Sequence, residues 1–348
     1  MIEIEYRTAK TITEVEVTES VELGNILRKE THPNDPPQLP ETQIQQLKNL
    51  PDFFEIHVWL VRHNNLAVGI GNLQIMNVPD NKHMAQLNLQ ILPEYRQQGL
   101  GKTLLEQALQ VAREANRTLL ICESNDQIPA GAAFLERYSF TPGLEAHVNQ
   151  LDVSTLETHT LEHWIQAGKT RAVDYELDIW DGAIPESELP AFVKIMEVMN
   201  NAPTGDLEIE DQHLTPEMIR EIEKLQLVSG GKRLISYVKH KPSNQLVGFT
   251  ELIWKQNRAS IVSQGNTGVD PTHRGHGLGK WLKAANLEHM LRLNPEAKFV
   301  RTGNADSNTS MLKINVELGF KPYFAAIAWQ GKTDTILEKL EAQSLSLA

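Results

Sequence analysis

Apolar and polar residues alternate in two pairs of segments, one pair in each half of the chain. The first pair covers residues 54–61 and 66–75, with a His-Asn-Asn turn between them, and the second covers residues 233–238 and 246–254, with a Lys-Pro-Ser-Asn turn. A period of two is typical of strands that bury one face, and turn residues between two such runs favour a hairpin. The pattern therefore predicts one β-hairpin in each half.

Beyond each hairpin the apolar residues change to helical spacing, and a strand and a second short helix follow. These apolar residues are Leu104, Leu105, Ala108, Val111 and Ala112 in the first half and Leu282, Ala285, Leu287 and Leu291 in the second. Strands are predicted at 118–122 and 298–302, and short helices at 130–138 and 309–318. This alternation predicts an α/β fold with a mixed α+β sheet, built twice.

A helical stretch separates the two halves. Leu156, Trp164 and Ile165 have amphipathic spacing, and Gly168 indicates a C-cap at the helix end. After it, a strand is predicted at 175–179 and helices at 186–199 and from Thr215-Pro216 onward, where an N-cap residue precedes a proline.

A short motif occurs twice at equivalent places. Residues 96–102 read Arg-Gln-Gln-Gly-Leu-Gly-Lys, and residues 274–280 read Arg-Gly-His-Gly-Leu-Gly-Lys, with Arg274 following Arg96 by 178 positions (274 less 96). This period is close to half of the 348 residues, which indicates a duplicated domain. We place a first domain at 1–150, a linker helix at 151–172 and a second domain at 173–348.

Each motif lies between a predicted strand and a predicted helix. Glycines let the backbone turn so that its N–H groups converge, and the helix start adds unpaired N–H groups and the positive end of its dipole. Such a turn predicts an anion site suited to phosphate or pyrophosphate. The motif lacks the third glycine of a dinucleotide fingerprint and the Gly-Lys-Ser/Thr end of a Walker A loop.

Composition and charge narrow the class of partner. The chain has 33 basic and 45 acidic residues, a net charge of −12, which disfavours nucleic acid and anionic membranes as partners. A single cysteine, Cys122, excludes an intrachain disulfide and a multi-thiolate metal site. With no signal-peptide pattern and no long apolar run, we expect a cytoplasmic protein without a metal.

Both loops resemble the [Q/R]-x-x-G-x-[G/A] signature of the GNAT superfamily of acetyl-CoA-dependent N-acetyltransferases. The family's second signature, an asparagine in a short helix that ends in Gly-Phe, is similar to Asn308 and Gly319-Phe320 in the second half. In the first half Ile128 replaces the asparagine and Ser139-Phe140 replaces Gly-Phe. The resemblance covers nearly the whole chain as two tandem GNAT domains, an architecture similar to that of mycothiol synthase.

The resemblance implies which residues hold acetyl-CoA. The second-half set is the pyrophosphate loop with the residues near the pantetheine arm: Arg274, Gly275, His276, Gly277, Leu278, Gly279, Lys280, Val269 and Asn308. The first-half set is Ile91, Arg96, Gln97, Gln98, Gly99, Gly101 and Lys102.

The catalytic acid departs from the family pattern. Family members commonly carry a tyrosine four residues before the glycine of Gly-Phe, and here Asn315 and Leu135 occupy that place. Tyr323, just beyond Gly319-Phe320, is the candidate substitute, with ordinary packing on the next strand as the alternative.

Glu251 is the candidate base. It shares a strand face with Phe249 and Ile253, and apolar neighbours raise the pKa of a carboxyl; the alternative is a solvated or salt-bridged glutamate. His273 and His276 are further candidates for a base, for a cofactor contact or for simple exposure.

Two other polar stretches have alternative interpretations. Residues 159–163 match the H-x-x-E-H pattern of some zinc peptidases, but no third ligand stands nearby, which favours a solvated helix face. Asp206, Glu208 and Glu210 either recognise a cationic acceptor or form an acidic surface loop.

These observations predict an acetyl-CoA-dependent N-acetyltransferase that acts on the primary amine of a small molecule. The second domain is expected to be catalytic, because it alone keeps both family signatures, and the prediction allows a homodimer. The alternatives are a non-catalytic acyl-CoA-binding sensor or interaction protein and an acyltransferase that uses a longer acyl-CoA.

Overall fold

The computed structural model describes residues 1–345. The elements of the first half are β1 (Ile2–Thr8), α1 (Glu14–Arg28), α2 (Pro40–Lys48), β2 (Phe54–His63), β3 (Leu66–Met76), β4 (Met84–Ile91), α3 (Leu100–Glu114), β5 (Leu119–Asn125), α4 (Pro129–Arg137) and β6 (Thr141–Asp152). Those of the second half are α5 (Thr158–Arg171), β7 (Tyr175–Asp181), α6 (Leu189–Met196), α7 (Pro216–Val228), β8 (Gly231–His240), β9 (Gln245–Lys255), β10 (Ile261–Val269), α8 (Leu278–Leu293), β11 (Phe299–Ala305), α9 (Thr309–Glu317), β12 (Lys321–Lys332) and α10 (Thr333–Leu345). None of the helices described is long and apolar enough to cross a membrane.

The chain forms two compact units. Unit 1 contains residues 1–146, 204–211 and 324–345, and unit 2 contains residues 147–203 and 212–323. The expected division into 1–150, 151–172 and 173–348 therefore does not hold for the last strand, because residues 324–332 pair with β5 of unit 1, from Ala326 opposite Asn125 to Lys332 opposite Leu119.

Each unit has a six-stranded mixed sheet. In unit 1 the order is β1-β2-β3-β4-β5, followed by the 324–332 part of β12. In unit 2 the order is β7-β8-β9-β10-β11, followed by the 147–152 part of β6. The neighbours are antiparallel from β1 to β4 and from β7 to β10, whereas β4–β5 and β10–β11 are parallel. The α/β fold with a mixed sheet is confirmed.

Helix ends follow the local sequence. Thr13 and Glu16 form a reciprocal capping box at the start of α1, and Thr215 caps α7 by accepting from the Met218 amide, with Pro216 in the first helical turn. The predicted start of α7 is confirmed. The 186–199 segment is helical in three pieces, with the regular helix α6 between two short 3₁₀ helices.

Gly168 lies inside α5 and does not cap it, because the helix continues to Arg171 and ends at Ala172. A Cβ atom at Gly168 would lie 2.4 Å from a ring carbon of Trp281 on α8. The glycine is therefore explained by the close approach of two helices in unit 2, and the expected C-cap is wrong.

We predict that Gly168→Ala lowers the free energy of unfolding by about 1–3 kcal/mol, because the buried Trp281 must move to admit a methyl group. Gly24→Ala in α1 is the matched control, since a Cβ atom at Gly24 would find no atom within 4 Å. That change should raise stability by about 0.5–1 kcal/mol through helix propensity. Denaturant unfolding followed by circular dichroism measures both, and stabilisation by both changes would refute the packing explanation.

Candidate functional site

A gap opens between the parallel strands of unit 2. β10 and β11 pair over three residues only, Ile261–Ser263 with Phe299–Arg301. Both strands continue, to Val269 and Ala305, with no further pair between them in the described structure. Because β10 stays paired with β9 along this length, it keeps one unpaired edge that faces the gap.

A β-bulge bends β10 at the level of this gap. Gln264 lies opposite Leu252 and Thr267 opposite Thr250, so that one extra residue is inserted in β10. The Gln264 side-chain amide fixes the bulge by donating to the Glu251 carbonyl (2.6 Å) and to Thr250 Oγ1 (3.0 Å). The equivalent strand of unit 1, β4, pairs with β3 without a shift in register.

The glycine loop lies at the open end of the gap. Gly275 and Gly277 have φ angles of +87° and +78°, a region that glycine adopts without steric cost. The first backbone hydrogen bond of α8 runs from the Trp281 amide to the Gly277 carbonyl (3.1 Å). The amides of residues 275–280, which precede this bond, meet no protein acceptor in the described part of the chain.

The space in front of these amides is open. A Cβ atom at Gly275 or at Gly277 would find no atom within 4 Å, and Gly277, the N-cap residue of α8, offers no side chain to the helix end. Unpaired amides and the positive end of a helix dipole favour a bound anion. The loop therefore fits a pyrophosphate group, and the binding of acetyl-CoA by its residues stays a prediction.

The side chains next to the loop are partly engaged. Arg274 is folded back, and its Nε donates to the Val269 carbonyl (3.1 Å), while the residue stays exposed. Lys280 pairs with Glu317 and lies 4.9 Å from the Trp164 ring centre. These contacts fix the loop to its own unit and leave the outer guanidinium nitrogens of Arg274 toward solvent.

His273 and His276 pack around one tyrosine. His273 Nδ1 lies 3.0 Å from the Tyr175 hydroxyl oxygen, and the His276 ring centre lies 5.3 Å from that of Tyr175. Both histidines therefore take part in packing beside the loop.

Unit 1 has the same gap and loop with different electrostatics. β4 and β5 also pair over three residues, Met84–Gln86 with Leu119–Ile121. Gly99 has a φ of +85°, but Gln97 stands where the second loop has Gly275 and is held at +60°, a conformation unfavourable for a residue with a side chain. Arg96 donates from Nε to the Ile91 carbonyl (2.9 Å) and pairs with Glu30 (2.6 Å).

Asn308 has a structural role in α9. Its Oδ1 accepts from the Met311 amide (3.3 Å), which makes it the N-cap of the helix. Ile128 at the equivalent place cannot do this, and Asn125 accepts from the Gln127 and Ile128 amides there. A contact between Asn308 and a pantetheine arm stays a prediction.

Glu251 is buried and ion-paired. Its Oε2 lies 3.2 Å from an outer nitrogen of Arg233, and its Oε1 has no hydrogen-bond partner among the described residues. Burial raises the pKa of the carboxyl, and Arg233 opposes this rise. A Cβ atom at Gly265 in the bulge would lie 3.5 Å from Oε2. The structure therefore shows Glu251 as the salt-bridged glutamate that was the alternative to a base, and a role as base stays a prediction. The bulge brings the β10 backbone close to its carboxylate.

Tyr323 lies against Arg301. The guanidinium carbon of Arg301 is 4.8 Å from the Tyr323 ring centre, and Arg301 also donates to Gln150 Oε1 (2.7 Å). The structure thus gives Tyr323 a packing contact on β11, and an acid role for its hydroxyl stays a prediction.

Sequence reasoning missed a buried lysine. Lys283 on α8 is 2% exposed, and its Nζ donates to Asn315 Oδ1 (2.8 Å). Asn315 Nδ2 donates in turn to Asn304 Oδ1 on β11 (2.7 Å). Burial lowers the pKa of Lys283 to about 7. Comparison of the two repeats could have found it, because Leu105 stands at the equivalent position of α3.

The acidic stretch belongs to unit 1. Glu208 pairs with Lys332 (3.2 Å), and Glu210 Oε2 accepts from the Asn81 amide (2.7 Å). Two of the three carboxylates are therefore engaged in unit 1, which favours the acidic surface loop over recognition of an acceptor in the second domain.

The H-x-x-E-H segment, residues 159–163, lies on the surface of α5. The His159 side chain is largely exposed and lies 3.4 Å from Glu157. Among residues 1–345, no group of three or more His, Cys, Asp or Glu side chains is arranged to hold a metal ion.

Comparisons with known proteins agree with the geometry. The sequence model described as the acetyltransferase (GNAT) family matches residues 21–140. No curated protein matches the chain.

Solved structures extend the similarity to 95–96% of the chain. A tandem GNAT protein from the clavulanic acid biosynthesis pathway, solved without acetyl-CoA, is 25% identical with a TM-score of 0.80, and the match covers 96% of this chain and 99% of that chain. A GCN5-related N-acetyltransferase from Sphaerobacter thermophilus is 12% identical with a TM-score of 0.67, covering 95% and 96%. A glucosamine N-acetyltransferase region of a fungal multi-domain β-N-acetylglucosaminidase is 14% identical with a TM-score of 0.63, covering 95% and 38%.

We predict a pH-dependent stability from Lys283. The unfolded lysine keeps its proton up to about pH 10.4, whereas the folded one releases it near pH 7, so the unfolded state binds more protons between these values. The measured quantity is the difference in the free energy of unfolding, parent minus Lys283→Met. This difference should rise with pH above about 7, by at most about 1.4 kcal/mol per pH unit. Below this range it should be flat. Denaturant unfolding at a series of pH values measures the difference, and a constant difference would refute a neutral buried amine.

Proposed function

We propose that the chain is an acyltransferase of the GNAT acetyltransferase family, and that unit 2 transfers an acetyl group from acetyl-CoA to the primary amine of a small molecule. The observation that carries this proposal is the row of six amides, 275–280, at the open end of the gap, which meet no acceptor among residues 1–345. Unit 2 supports the proposal better than unit 1, because its loop has glycine at both left-handed positions and an arginine that forms no salt bridge with a carboxylate of residues 1–345.

The described residues fit acyl-CoA. The loop amides and Arg274 would hold the pyrophosphate, and the free edge of β10 from 264 to 269 would hydrogen-bond the amide groups of the pantetheine arm. On the other side of the gap, a Cβ atom at Gly303 would find no atom within 4 Å, so the end of β11 leaves room for the arm. Acyl-CoA, when bound, supplies an activated acyl thioester.

The protein must bring the two reactants together and remove a proton. Holding the amine against the thioester supplies much of the rate acceleration, up to about 7–11 kcal/mol in favourable models. The amine becomes a nucleophile only after it loses its proton, and Glu251 is the proposed acceptor of that proton because burial raises its pKa. Its unpartnered Oε1 is the atom available for this role, while Arg233 holds Oε2.

Unit 1 is proposed to be the non-catalytic partner of the duplicated pair. The ion pair between Arg96 and Glu30 neutralises the charge at its loop, and Gln97 occupies a left-handed position at an energetic cost. Its core positions equivalent to Lys283 and Asn315 are Leu105 and Leu135, both buried. These differences predict weaker acyl-CoA binding in unit 1 than in unit 2.

We predict that Gly277→Ala weakens acetyl-CoA binding at least tenfold and lowers turnover in parallel, since its methyl group would enter the open space in front of the loop. Gly99→Ala is the matched control, because its φ of +85° imposes a similar backbone cost of about 1 kcal/mol in unit 1. Calorimetric titration gives the stoichiometry and the dissociation constant, and release of free thiol with a panel of primary amines gives the turnover.

The control should lose stability to a similar extent but keep its turnover. A loss of turnover in Gly99→Ala with full turnover in Gly277→Ala would move the catalytic site to unit 1. Turnover with a longer acyl-CoA but not with acetyl-CoA would change the proposed donor.

A further inference from the structure

A chain of three polar side chains runs from the core of unit 2 to the gap. It starts at Lys283, whose Nζ lies 2.8 Å from Asn315 Oδ1 and 5.8 Å from the Phe320 ring centre. Asn315 is 1% exposed, and its Nδ2 lies 2.7 Å from Asn304 Oδ1. Asn304 is half-buried, so the chain begins in the core and ends near the surface of the unit.

The two hydrogen bonds of the chain run in one direction. Lys283 Nζ donates to Asn315 Oδ1, and Asn315 Nδ2 donates to Asn304 Oδ1, so the Asn315 oxygen faces Lys283 and its NH₂ group faces Asn304. Asn304 must then accept with its oxygen. Its own NH₂ group is left as a donor and meets no protein acceptor in residues 1–345.

The free NH₂ group belongs to the part of β11 that lines the gap. The last residue of β11 paired with β10 is Arg301, and Asn304 lies three positions further along the strand. The donor therefore lies where β10 and β11 no longer touch.

The fold does not require this polar chain. At the equivalent positions of unit 1, Leu105 and Leu135 pack in the hydrophobic core, and Ser124 replaces Asn304 and accepts from Trp329 Nε1 (2.8 Å). Burying an amine and an amide is costly, and apolar residues of similar volume are often as stable or more stable. The polar residues of unit 2 therefore call for an explanation other than packing.

We propose that Lys283 and Asn315 are positioning residues that orient Asn304, and that Asn304 Nδ2 donates a hydrogen bond to the acyl-CoA sulfur when the thiolate leaves. This role rests on the proposed function of unit 2. The acyl carbon exchanges its C–S bond for a C–N bond, and the electron pair of the C–S bond stays on sulfur. The protonated amine gives up two protons: the first goes to Glu251 and frees the nitrogen for attack, and the second leaves the nitrogen for solvent after the C–N bond forms. Asn304 keeps its own protons, and solvent protonates the released thiolate.

The role of Asn304 has a measurable signature. Asn304→Ala should lower kcat about 10- to 100-fold, the scale of one lost hydrogen bond to a charged group, with the dissociation constant of acetyl-CoA changed less than about threefold. Asn304→Asp should lower kcat further, since it keeps the oxygen that faces Asn315 but replaces the donor by a carboxylate. Ser124→Ala, the unit 1 counterpart, is the control and should leave kcat unchanged.

The positioning residues are tested with the leucines that unit 1 uses. Lys283→Leu combined with Asn315→Leu should fold and melt like the parent, yet lower kcat to about the level of Asn304→Ala. Adding Asn304→Ala to this double variant should cause little further loss, because the three side chains act as one group. Asn315→Leu alone should lower the melting temperature, since it leaves the buried lysine amine without a partner.

The outcomes separate this role from the proposed function. Full kcat in Asn304→Ala, or in the double leucine variant, would overturn the role of the polar chain while unit 2 remains an acetyltransferase. A loss of acetyl-CoA affinity without a loss of kcat would also overturn it, by assigning Asn304 to ground-state binding. A parent protein that binds acetyl-CoA but releases no thiol with any amine would overturn the proposed function itself.

Discussion

The backbone amides from Gly275 to Lys280 need an acceptor that residues 1–345 do not provide. A helix normally satisfies its first N–H groups with a capping side chain, but α8 begins after a glycine. The parallel neighbours β10 and β11 stop pairing after three residues, so the strand edge that leads to these amides is also unpaired. The unsatisfied donors of the helix and of the strand thus meet in one place, and an elongated ligand with an anionic group at one end satisfies both.

The duplication provides an internal comparison for this site. Both units keep the divergent parallel strands and a left-handed glycine before the helix, so these features belong to the shared fold. Only unit 2 adds the bulge that Gln264 fixes and the buried chain that begins at Lys283. Features that cost stability and occur in one copy alone are best explained by chemistry in that copy.

The sequence predicts some of these features and not others, for physical reasons. The loops could be predicted, because a left-handed turn before a helix favours glycine so strongly that the spacing identifies it. The role of Gly168 could not, since a glycine near a helix end has the same sequence signature whether it caps the helix or admits the Trp281 ring. Lys283 was missed because one lysine in an amphipathic pattern is normally exposed, and its environment depends on Asn315, which is 32 positions away. Period-two alternation identifies a strand but not its neighbour, so the place of residues 324–332 next to β5 was also beyond prediction.

The pairing of β12 with β5 has a consequence for protein synthesis. Trp329 donates to the Ser124 side chain across a separation of 205 residues, so the sixth strand of unit 1 leaves the ribosome long after the other five. Until then the sheet of unit 1 has an exposed edge at β5, and such edges are prone to pair wrongly. Domains usually fold as they emerge during translation, but unit 1 must wait until residues 324–332 have been made. The two halves of the chain therefore cannot be separated without loss. A break in the chain between them would remove the 324–332 strand from the sheet of unit 1.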